Sequence, residues 1–482
     1  RPGFWTCVNT AAIATSPRAG GRPSSWTAAG PGAAACETQG MSAAAPAVLG
    51  KNRGHCFQSG RVAAAGWPAK WAMQDTAAAL LYRAGHTGAK QFSRCHRSQT
   101  QPGGTVRIMA DGGRAWYRDL KTCGSVWVCP ICAEKISRER AADVQAGIDS
   151  ALAHGKGVTL VTLTFRHSEL DTLKNSLNQF SRASRMLKSG REYAALRAEF
   201  GLIGEVRALE VTHGARGWHP HSHAVTFSRA PILDNRPSYP RHGENPTVGI
   251  VVPVAGHRLV QLKRKIFSLW YRAMARERRA PRRPRLFGSL AEKKAYRARL
   301  RKIGLPSYKN GVDVRPAKYA AEYIAKWGFA AELTRPHLKK GHKGGRTPFQ
   351  LLADATNGDA RAAALWRDFA IQFHGKKQLF WSKEKTASGW VSVRDVLGIG
   401  AELTEQQALA LADEKGVEIA SVEGDDWLII RRFRARAAIL EAALSGRLAD
   451  ELEALRARSR EKYGSDGQGN RRAFLALVDA AA

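Results

Sequence analysis

The clearest pattern of hydrophobic and polar positions predicts two β-strands joined by a tight turn. VRALEVTH, residues 206–213, and HSHAVTF, residues 221–227, are predicted strands with the turn HGARG between them. In the second stretch the histidines take every second position, and Val225 and Phe227 continue that row. Every second side chain of a strand projects from the same face, so His219, His221 and His223 are expected to lie in one row. This row is either a histidine-rich turn that enters a strand or a metal site on the surface of a sheet.

Other periodic stretches predict helices and strands on both sides of this hairpin. Apolar residues at helical spacing predict helices at 133–153, 170–189, 259–277, 317–327 and 448–463. Runs rich in β-branched residues predict a strand at 158–165, and short strands with a Gly-Gly turn are expected within 105–128. Strands joined by helices, with at least one hairpin, indicate an α+β fold rather than a doubly wound sheet.

The composition divides the chain into four segments. Residues 1–90 are rich in Ala, Gly, Pro and Ser, contain no persistent period and are expected to be disordered. Because the sequence opens on Arg, Met41 and Met73 are candidate start sites, and part of this stretch would then be a non-native extension. Three further segments are expected: a cysteine segment at residues 91–135 and an α+β domain at residues 136–335, followed by a separate, mainly helical unit at residues 336–482. The last unit would serve DNA binding or oligomerisation.

The charge balance points to a polyanionic partner. Of the 482 residues, 76 are Lys or Arg and 41 are Asp or Glu, which gives a net charge of +35. An enzyme for small neutral molecules does not need this excess, whereas each phosphate neutralised by Lys or Arg releases counterions. Nucleic acid is therefore the expected partner, with a membrane surface as the weaker alternative. No apolar run approaches the roughly 18 residues of a transmembrane helix, so we expect a cytoplasmic protein.

Four of the seven cysteines are spaced as in a metal site. Cys95, Cys123, Cys129 and Cys132 form the pattern C-x27-C-x5-C-x2-C. Four thiolates suit a closed tetrahedral zinc site, whose role would be structural because no coordination position stays open. His96 could replace one cysteine, and small buried cysteines without a metal are the alternative. This use of cysteine favours a reducing compartment over a disulfide framework.

A second candidate for chemistry lies in the predicted helix KYAAEYIAKW. Tyr319, Tyr323 and Lys326 fall on one side of that helix, about 120° away from the apolar stripe that would face a core. A phenol on a rigid helix, next to a lysine and facing a metal, can attack phosphorus while the metal neutralises charge on the phosphate. Tyrosines packed at the edge of a core are the alternative.

The order of these motifs resembles that of plasmid rolling-circle replication initiator (Rep) proteins of the HUH endonuclease superfamily. The most specific stretch is GEVRALEVTHGARGWHPHSHAVTF, residues 204–227. CGSVWVCPICAEK, VTLTFRH, AKYAAEYIAKW and FHGKKQLFWS are similar to further stretches of that family. The resemblance covers residues 91 to about 450 and leaves out residues 1–90.

The resemblance implies a central antiparallel sheet of ferredoxin-like kind, with two metal-binding histidines on its central strand. These would be His221 and His223, which immediately precede the apolar AVTF, and Glu210 on the partner strand would be the acidic ligand. The ion in that family is usually Mg²⁺ or Mn²⁺. A cross-strand charge pair of Glu210 with Arg207 or Arg216 is the alternative to metal binding.

One position departs from the family pattern, and another extends it. The family has a bulky hydrophobic residue between the two histidines, where this chain has Ser222. His219, two residues before the pair, could be a further ligand or an outer partner of one. Neutral imidazoles favour transition metals over Mg²⁺, so Mn²⁺ is expected to bind more tightly.

The resemblance also implies a DNA nick made by a tyrosine. Tyr323 would hold the 5′ end of the cut strand as a phosphotyrosine and release a 3′-OH for a polymerase. Tyr319 would be the second nucleophile of a two-tyrosine member, and Lys326 would lie near the phosphate or the metal. Termination by Glu322 with a water is the alternative to Tyr319.

The same resemblance implies partners for this reaction. The DNA would be a plasmid double-strand origin in the bacterial cytoplasm. The helicase would come from the host, because the sequence contains no GxxxxGK[ST] motif. A host polymerase would extend the 3′-OH. No feature of the sequence specifies an oligomeric state.

Two other functions are compatible with the sequence. Transposases and relaxases use the same chemistry, and a zinc-containing DNA-binding protein could use these His and Tyr residues structurally. The basic stretch 276–302 is expected to contact phosphate, with a solvated linker as the alternative. Its candidate contacts are Arg278, Arg279, Arg282 and Arg283.

Overall fold

The computed structural model describes residues 59–86, 88–167, 171–232, 256–281, 286–316 and 345–464. The helices within them are α1 Ser59–Arg83, α2 Ala89–Arg94, α3 Pro130–Ala153, α4 Leu173–Lys188, α5 Arg191–Phe200, α6 Gly256–Glu277, α7 Leu290–Ile303, α8 Tyr308–Gly311, α9 Pro348–Thr356, α10 Ala360–Phe373, α11 Val393–Val396, α12 Glu405–Glu414, α13 Gly424–Arg432, α14 Arg436–Leu444 and α15 Leu448–Tyr463. The strands are β1 Val106–Asp111, β2 Arg114–Tyr117, β3 Gly157–Thr164, β4 Leu202–Gly214, β5 Gly217–Ser228, β6 Val312–Pro316, β7 Leu379–Trp381, β8 Lys383–Thr386, β9 Gly389–Ser392 and β10 Val417–Val422.

The central sheet contains the hairpin that the alternating pattern predicts. Its strand order is β6-β3-β5-β4-β7, and every neighbouring pair is antiparallel. The hairpin β4–β5 turns through Ala215 and Arg216, and Gly217 accepts a φ of +83°, which a residue with a β-carbon rarely adopts. The α+β class with antiparallel sheets flanked by helices is therefore confirmed.

Different helices cover the two faces of the central sheet. On one face, Val225 and Phe227 of β5 pack with Ile148 of α3. On the other face, Leu163 of β3 packs with Trp270 of α6. Side chains alternate along a strand, so the histidine row of β5 lies on the α3 face, beyond the contacts that Val225 makes.

A second sheet has the strand order β10-β1-β2. β1 and β2 turn through Gly112 and Gly113, as the Gly-Gly pair predicts, and both glycines have positive φ. This sheet packs on α13, α14 and α15 around the fully buried Trp427, and Trp71 of α1 joins the same cluster. None of the described helices has the length and apolar character that a membrane span requires.

Helix α1 corrects the prediction that residues 1–90 are disordered. Ser59–Arg83 is helical, and its second half buries Trp71, Met73, Ala77 and Leu81. The stretch is rich in alanine and includes Gly66 and Pro68, so its apolar period does not stand out from the composition. Part of the segment assigned to disorder therefore belongs to the folded core.

The C-terminal segment also differs from its prediction, because residues beyond 345 do not form a separate helical unit. β7 pairs with β4 at the edge of the central sheet, and β10 pairs with β1. Phe369 and Phe373 of α10 pack in the same cluster as Cys129 and Cys132. The predicted boundary at 335/336 lies outside the described residues.

A buried ion pair ties α1 to α14 and yields a test of the fold. Arg436 is 3% exposed and donates to Asp75 at 2.8 Å and to Gln74 at 2.9 Å, and Arg97 donates to Asp75 at 2.5 Å. Burial raises the pKa of Asp75, but the charges of Arg436 and Arg97 outweigh this effect and hold the pKa below 3.8. The carboxylate therefore stabilises the fold above pH 3.8, and this contribution is lost as pH falls through the lower folded pKa.

We expect Asp75→Asn to lower the free energy of unfolding at pH 7 by about 3 kcal/mol, because it leaves Arg436 buried without a countercharge. The difference in the free energy of unfolding between the variant and the wild type should shrink as the pH falls below 3.8. Denaturant unfolding at several pH values measures both effects. Asp111→Asn, at an exposed position, is the control, and an equal loss of stability in both variants would contradict this role for Asp75.

Candidate functional site

Glu210, His221 and His223 form a group whose ligand atoms all lie within 4.8 Å of one another. Glu210 stands directly opposite His221 in the β4–β5 register, so both side chains project from the same face. The Oε2 atom of Glu210 lies 3.4 Å from His221 Nε2 and 3.8 Å from His223 Nε2. Two imidazole nitrogens and a carboxylate oxygen therefore converge on one point, as metal ligands do.

Hydrogen bonds on the far side of each ring fix the two imidazoles in this orientation. His221 Nδ1 lies 3.1 Å from the carbonyl oxygen of His219, to which it donates, and this leaves Nε2 as an acceptor. His223 Nδ1 lies 2.9 Å from Thr162 Oγ1, on the neighbouring strand β3. Outer partners of this kind set the tautomer that binds a metal through Nε2.

The electrostatics of the two histidines differ. Burial disfavours the charged form of His221, but the hydrogen bond and charge of Glu210 outweigh it and raise the pKa. Burial lowers the pKa of His223 to about 4, although Glu210 acts in the opposite direction. His223 is therefore neutral at physiological pH.

His219 lies beside this group rather than within it. Its Nε2 is hydrogen-bonded to Thr164 Oγ1, and its ring stacks on His167 and on His221 with centroids 4.6 Å and 5.2 Å away. Burial, His221 and His167 together lower the pKa of His219 to about 3. Of the predicted ligands, Glu210, His221 and His223 come together, and His219 is an outer neighbour.

His167 is a site residue that the sequence did not reveal. It follows β3 by three positions, and only the pairing of β3 with β5 brings its ring onto His219. The Nδ1 atom of His167 is buried and has no hydrogen-bond partner among the described residues. The two threonines of VTLTF, Thr162 and Thr164, hold the outer nitrogens of His223 and His219.

The four predicted cysteines form a second group of converging ligand atoms. Cys95, Cys129 and Cys132 are fully buried, and Cys123 is partly buried. Their sulfurs lie 3.5 Å (Cys95–Cys132), 3.7 Å (Cys95–Cys129) and 3.8 Å (Cys123–Cys132) apart. These separations are far longer than the ~2.05 Å of a disulfide and match the edge of about 3.8 Å of a tetrahedron with Zn–S bonds of about 2.3 Å.

The surroundings of the sulfurs suit thiolates that share a cation. Backbone N–H groups of Cys123 and Cys132 point at Cys95 Sγ and Cys129 Sγ, at 3.2 Å and 3.5 Å. Hydrogen bonds from the other thiols bring the pKa of Cys129 down in spite of its burial, whereas burial raises the pKa of Cys95. His96 Nε2 is 3.8 Å from Cys132 Sγ and lies beside the four sulfurs as a neighbour.

The remaining predicted residues fall in other places. Tyr319, Tyr323, Lys326, Arg282 and Arg283 lie outside the described residues. Arg279 is exposed at the end of α6.

The prediction that Arg278 contacts phosphate needs correction, because the side chain of Arg278 is only 7% exposed. It donates to the Ile303 carbonyl at 2.5 Å and stacks on the Phe165 ring at 4.8 Å. Arg278 therefore supports the packing of α6 rather than offering a charge to phosphate.

The chain enters and leaves the segment 317–344 at opposite edges of the central sheet. β6, at one edge, ends at Pro316, level with Thr226 of β5. On the other side, His213 and Arg346 exchange backbone hydrogen bonds of 2.7 Å and 2.8 Å. Gly345 meets the Thr212 side chain, which shares its sheet face with Glu210.

Residues 118–239 match a family model that is described as "Replication protein". This stretch includes three of the four clustered cysteines and all of β3, β4 and β5. "Protein rep" of Streptomyces lividans is 28% identical over 447 residues, which cover 78% of this chain and 84% of the relative. "Neomycin resistance protein" of Streptomyces cyanogenus is 30% identical over 149 residues, 26% of this chain and 34% of the relative. No solved structure matches the chain.

Proposed function

We propose that this chain, whose residues 118–239 belong to the replication-protein family, initiates plasmid rolling-circle replication by nicking one DNA strand. The observation that carries the proposal is the convergence of Glu210, His221 and His223 within the segment that matches the family. The net charge of +35 supports a DNA partner. We place the reaction in the bacterial cytoplasm, at a plasmid double-strand origin, with a helicase and a polymerase supplied by the host.

Glu210, His221 and His223 would hold one divalent cation, Mg²⁺ or Mn²⁺. When bound, the cation would neutralise charge on the scissile phosphate and orient it. Thr162 keeps His223 in the ligating orientation, and the carbonyl of His219 does the same for His221. A donor set of two imidazole nitrogens and one carboxylate oxygen favours Mn²⁺ over Mg²⁺ in affinity.

Tyr323 would be the nucleophile. Its phenolic oxygen loses a proton and attacks phosphorus, a bond from tyrosine oxygen to phosphorus forms, and the bond from phosphorus to the 3′ oxygen breaks. The leaving 3′ oxygen takes up a proton and becomes the primer end, and Lys326 would stabilise the phosphate. Tyr319 would serve a second cleavage that ends the round. The phosphotyrosine conserves the energy of the phosphodiester, so rejoining needs no ATP.

The chain connections support a tyrosine that reaches this site. Pro316 is two strands from β5 and three residues from the level of His223, a separation of about 14 Å at ordinary strand spacings. Tyr323 is seven residues beyond Pro316, a reach of about 10 Å as a helix and about 24 Å when extended. The segment returns at Gly345, beside Thr212 on the face of Glu210. The separation of about 14 Å lies between the helical and the extended reach, so Tyr323 arrives at the site only if part of the connection from Pro316 is extended.

The four-cysteine cluster would hold a structural Zn²⁺. Its sulfur separations and buried position support this, and the cluster lies in the core that joins α1, α3 and α10. We assign it a role in folding, since four thiolates leave no open coordination position.

The proposal is tested with supercoiled plasmid that carries the DNA flanking this reading frame. The protein with Mn²⁺ is expected to convert it to nicked circles with protein covalently attached to one 5′ end. EDTA should abolish the product, and plasmid without that DNA should stay supercoiled. Metal-independent DNA binding without any nick would overturn the proposal in favour of a non-catalytic DNA-binding protein.

Thr162 gives a sharper test of the metal site. We expect Thr162→Val to weaken Mn²⁺ binding about 10–100-fold, because His223 loses the partner of its outer nitrogen. Isothermal titration with Mn²⁺ measures this change. Thr159→Val, on the same strand but the opposite face, is the matched control and should leave the affinity unchanged. Equal affinities in the two variants would remove Thr162 from the site.

A further inference from the structure

A large cavity lies on the face of the central sheet opposite the histidines. It has a volume of about 690 Å³, is partly open to solvent and is lined by β4, β5, α4, α5 and the β8–β9 hairpin. Its sheet wall is formed by Glu205, Arg207, Leu209 and Ser222, which alternate with Glu210 and the histidines along the strands. We call this cavity the distal pocket. Its size is in the ordinary range of small-molecule sites, about 300–1,000 Å³.

The distal pocket is basic. Five basic and two acidic side chains line it, and both acidic ones are already paired, Glu205 with Lys188 and Glu384 with Arg197. Arg207 has no ion pair with a described acidic residue, and burial lowers its pKa, which means that its charge is poorly hydrated. A half-buried guanidinium without a countercharge is costly, and an anion in the cavity would offset that cost.

Two buried hydroxyls in the distal pocket also lack a partner. Ser222 is 1% exposed and Ser184 is 4% exposed, and the Oγ atom of each has no hydrogen-bond partner among the described residues. Buried polar groups are nearly always satisfied in folded proteins, so a ligand with hydrogen-bonding groups fits here. Ser222 stands where the resemblance leads us to expect a bulky hydrophobic residue. Its small side chain leaves room in the cavity directly behind the metal-binding row.

The other walls of the distal pocket are apolar and aromatic. Leu177 and Phe180 come from α4, and Tyr193 comes from α5. The Arg207 guanidinium lies 5.3 Å from the centre of the Phe380 ring, which is 49% exposed. A flat ring system can pack against such walls while an anionic group meets Arg207.

We propose that the distal pocket binds a nucleoside monophosphate unit, with its phosphate at Arg207 and its base against the apolar wall. The unit is either a free nucleotide or one nucleotide of a DNA strand, since both offer the same chemistry. The hydroxyls of Ser184 and Ser222 hydrogen-bond to it after small side-chain shifts, because both Oγ atoms are closed off from solvent in this structure. Ser222 lies between His221 and His223 in the chain. A ligand in the distal pocket therefore contacts the same strand that carries the two metal-binding histidines.

Isothermal titration of the full chain with AMP tests this site without metal and without nicking, so its outcome is independent of the proposed endonuclease activity. We expect AMP to bind, and adenosine and inorganic phosphate each to bind about tenfold more weakly or worse. Arg207→Gln should weaken AMP binding about tenfold or more, because a charge-assisted hydrogen bond is lost. Arg191→Gln, at an exposed position of α5 outside the pocket lining, is the control.

Ser222→Leu provides a second variant in case Arg207→Gln does not fold. The larger side chain fills the cavity and should abolish AMP binding while the thermal unfolding midpoint stays near that of the wild type. A short single-stranded oligonucleotide that displaces AMP assigns the pocket to a DNA strand, and failure to displace AMP assigns it to a free nucleotide. Absence of AMP binding at millimolar concentration, or equal binding by the wild type, Arg207→Gln and Ser222→Leu, would overturn the proposal.

Discussion

Replacing Tyr323 by Phe is expected to abolish the covalent protein–DNA product and to reduce nicking about 10³-fold or more. The substitution removes one oxygen atom and keeps the ring, so the nucleophile is lost while packing is retained. Metal binding at Glu210, His221 and His223 should be unchanged, because the phenol is not a ligand in this proposal. The measurement is the yield of nicked circle and of protein-linked DNA from supercoiled plasmid with Mn²⁺.

Tyr319→Phe is the matched control, since the two tyrosines stand one helical turn apart in the predicted helix. It should retain the first nick and lose only the second cleavage that closes a round. If Tyr319→Phe abolishes the nick and Tyr323→Phe does not, the two assignments exchange. Full activity of the double variant would exclude both Tyr319 and Tyr323 as nucleophiles.

The parts of the fold with strong local patterns are the parts that the sequence predicts well. The helix 448–463 has the predicted bounds, because charged and apolar residues alternate with helical spacing over its whole length. The β4–β5 hairpin follows from two strand-like stretches on both sides of a turn with two glycines, the second with a histidine at every other position. In both cases the residues that decide the structure lie within one short stretch.

The parts that depend on distant partners are the parts that sequence reasoning misses. β7 has three residues and no alternating pattern, and it becomes a strand because Trp381 pairs with Val206 at an open sheet edge. β10 likewise pairs Val422 with Val106, far away in the chain. A window of local sequence contains no signal for such pairings, and the segment 336–482 therefore reads as a separate helical unit.

The candidate site divides in the same way. Alternation predicts that the three histidines share a face, and the hairpin register brings Glu210 opposite His221. The pairing of β3 with β5 decides the outer contacts of Thr162, Thr164 and His167, and this pairing joins residues about 60 positions apart. Sequence reasoning therefore finds the converging ligands and their outer neighbour His219, but not the contacts across β3 and β5 that hold the rings in place.

Loss of the metal from the four-cysteine cluster is expected to be the largest effect on stability. Cys129 and Cys132 lie at the start of α3, and their cluster packs with α1, α9 and α10 in one core. Because the binding free energy of a structural zinc contributes to folding, Cys132→Ser should release one zinc per chain and lower the unfolding midpoint by several degrees or more.

Atomic absorption and thermal unfolding of the purified chain measure the two quantities of this prediction. Cys56→Ser, a cysteine outside the cluster, is the matched control and should retain both the metal and the midpoint. A strong chelator should lower the midpoint of the wild type toward that of Cys132→Ser and have little effect on the variant. An unchanged zinc content in Cys132→Ser would contradict the assignment. The assignment would also be contradicted if the wild type contained no zinc and had the same unfolding midpoint with and without chelator.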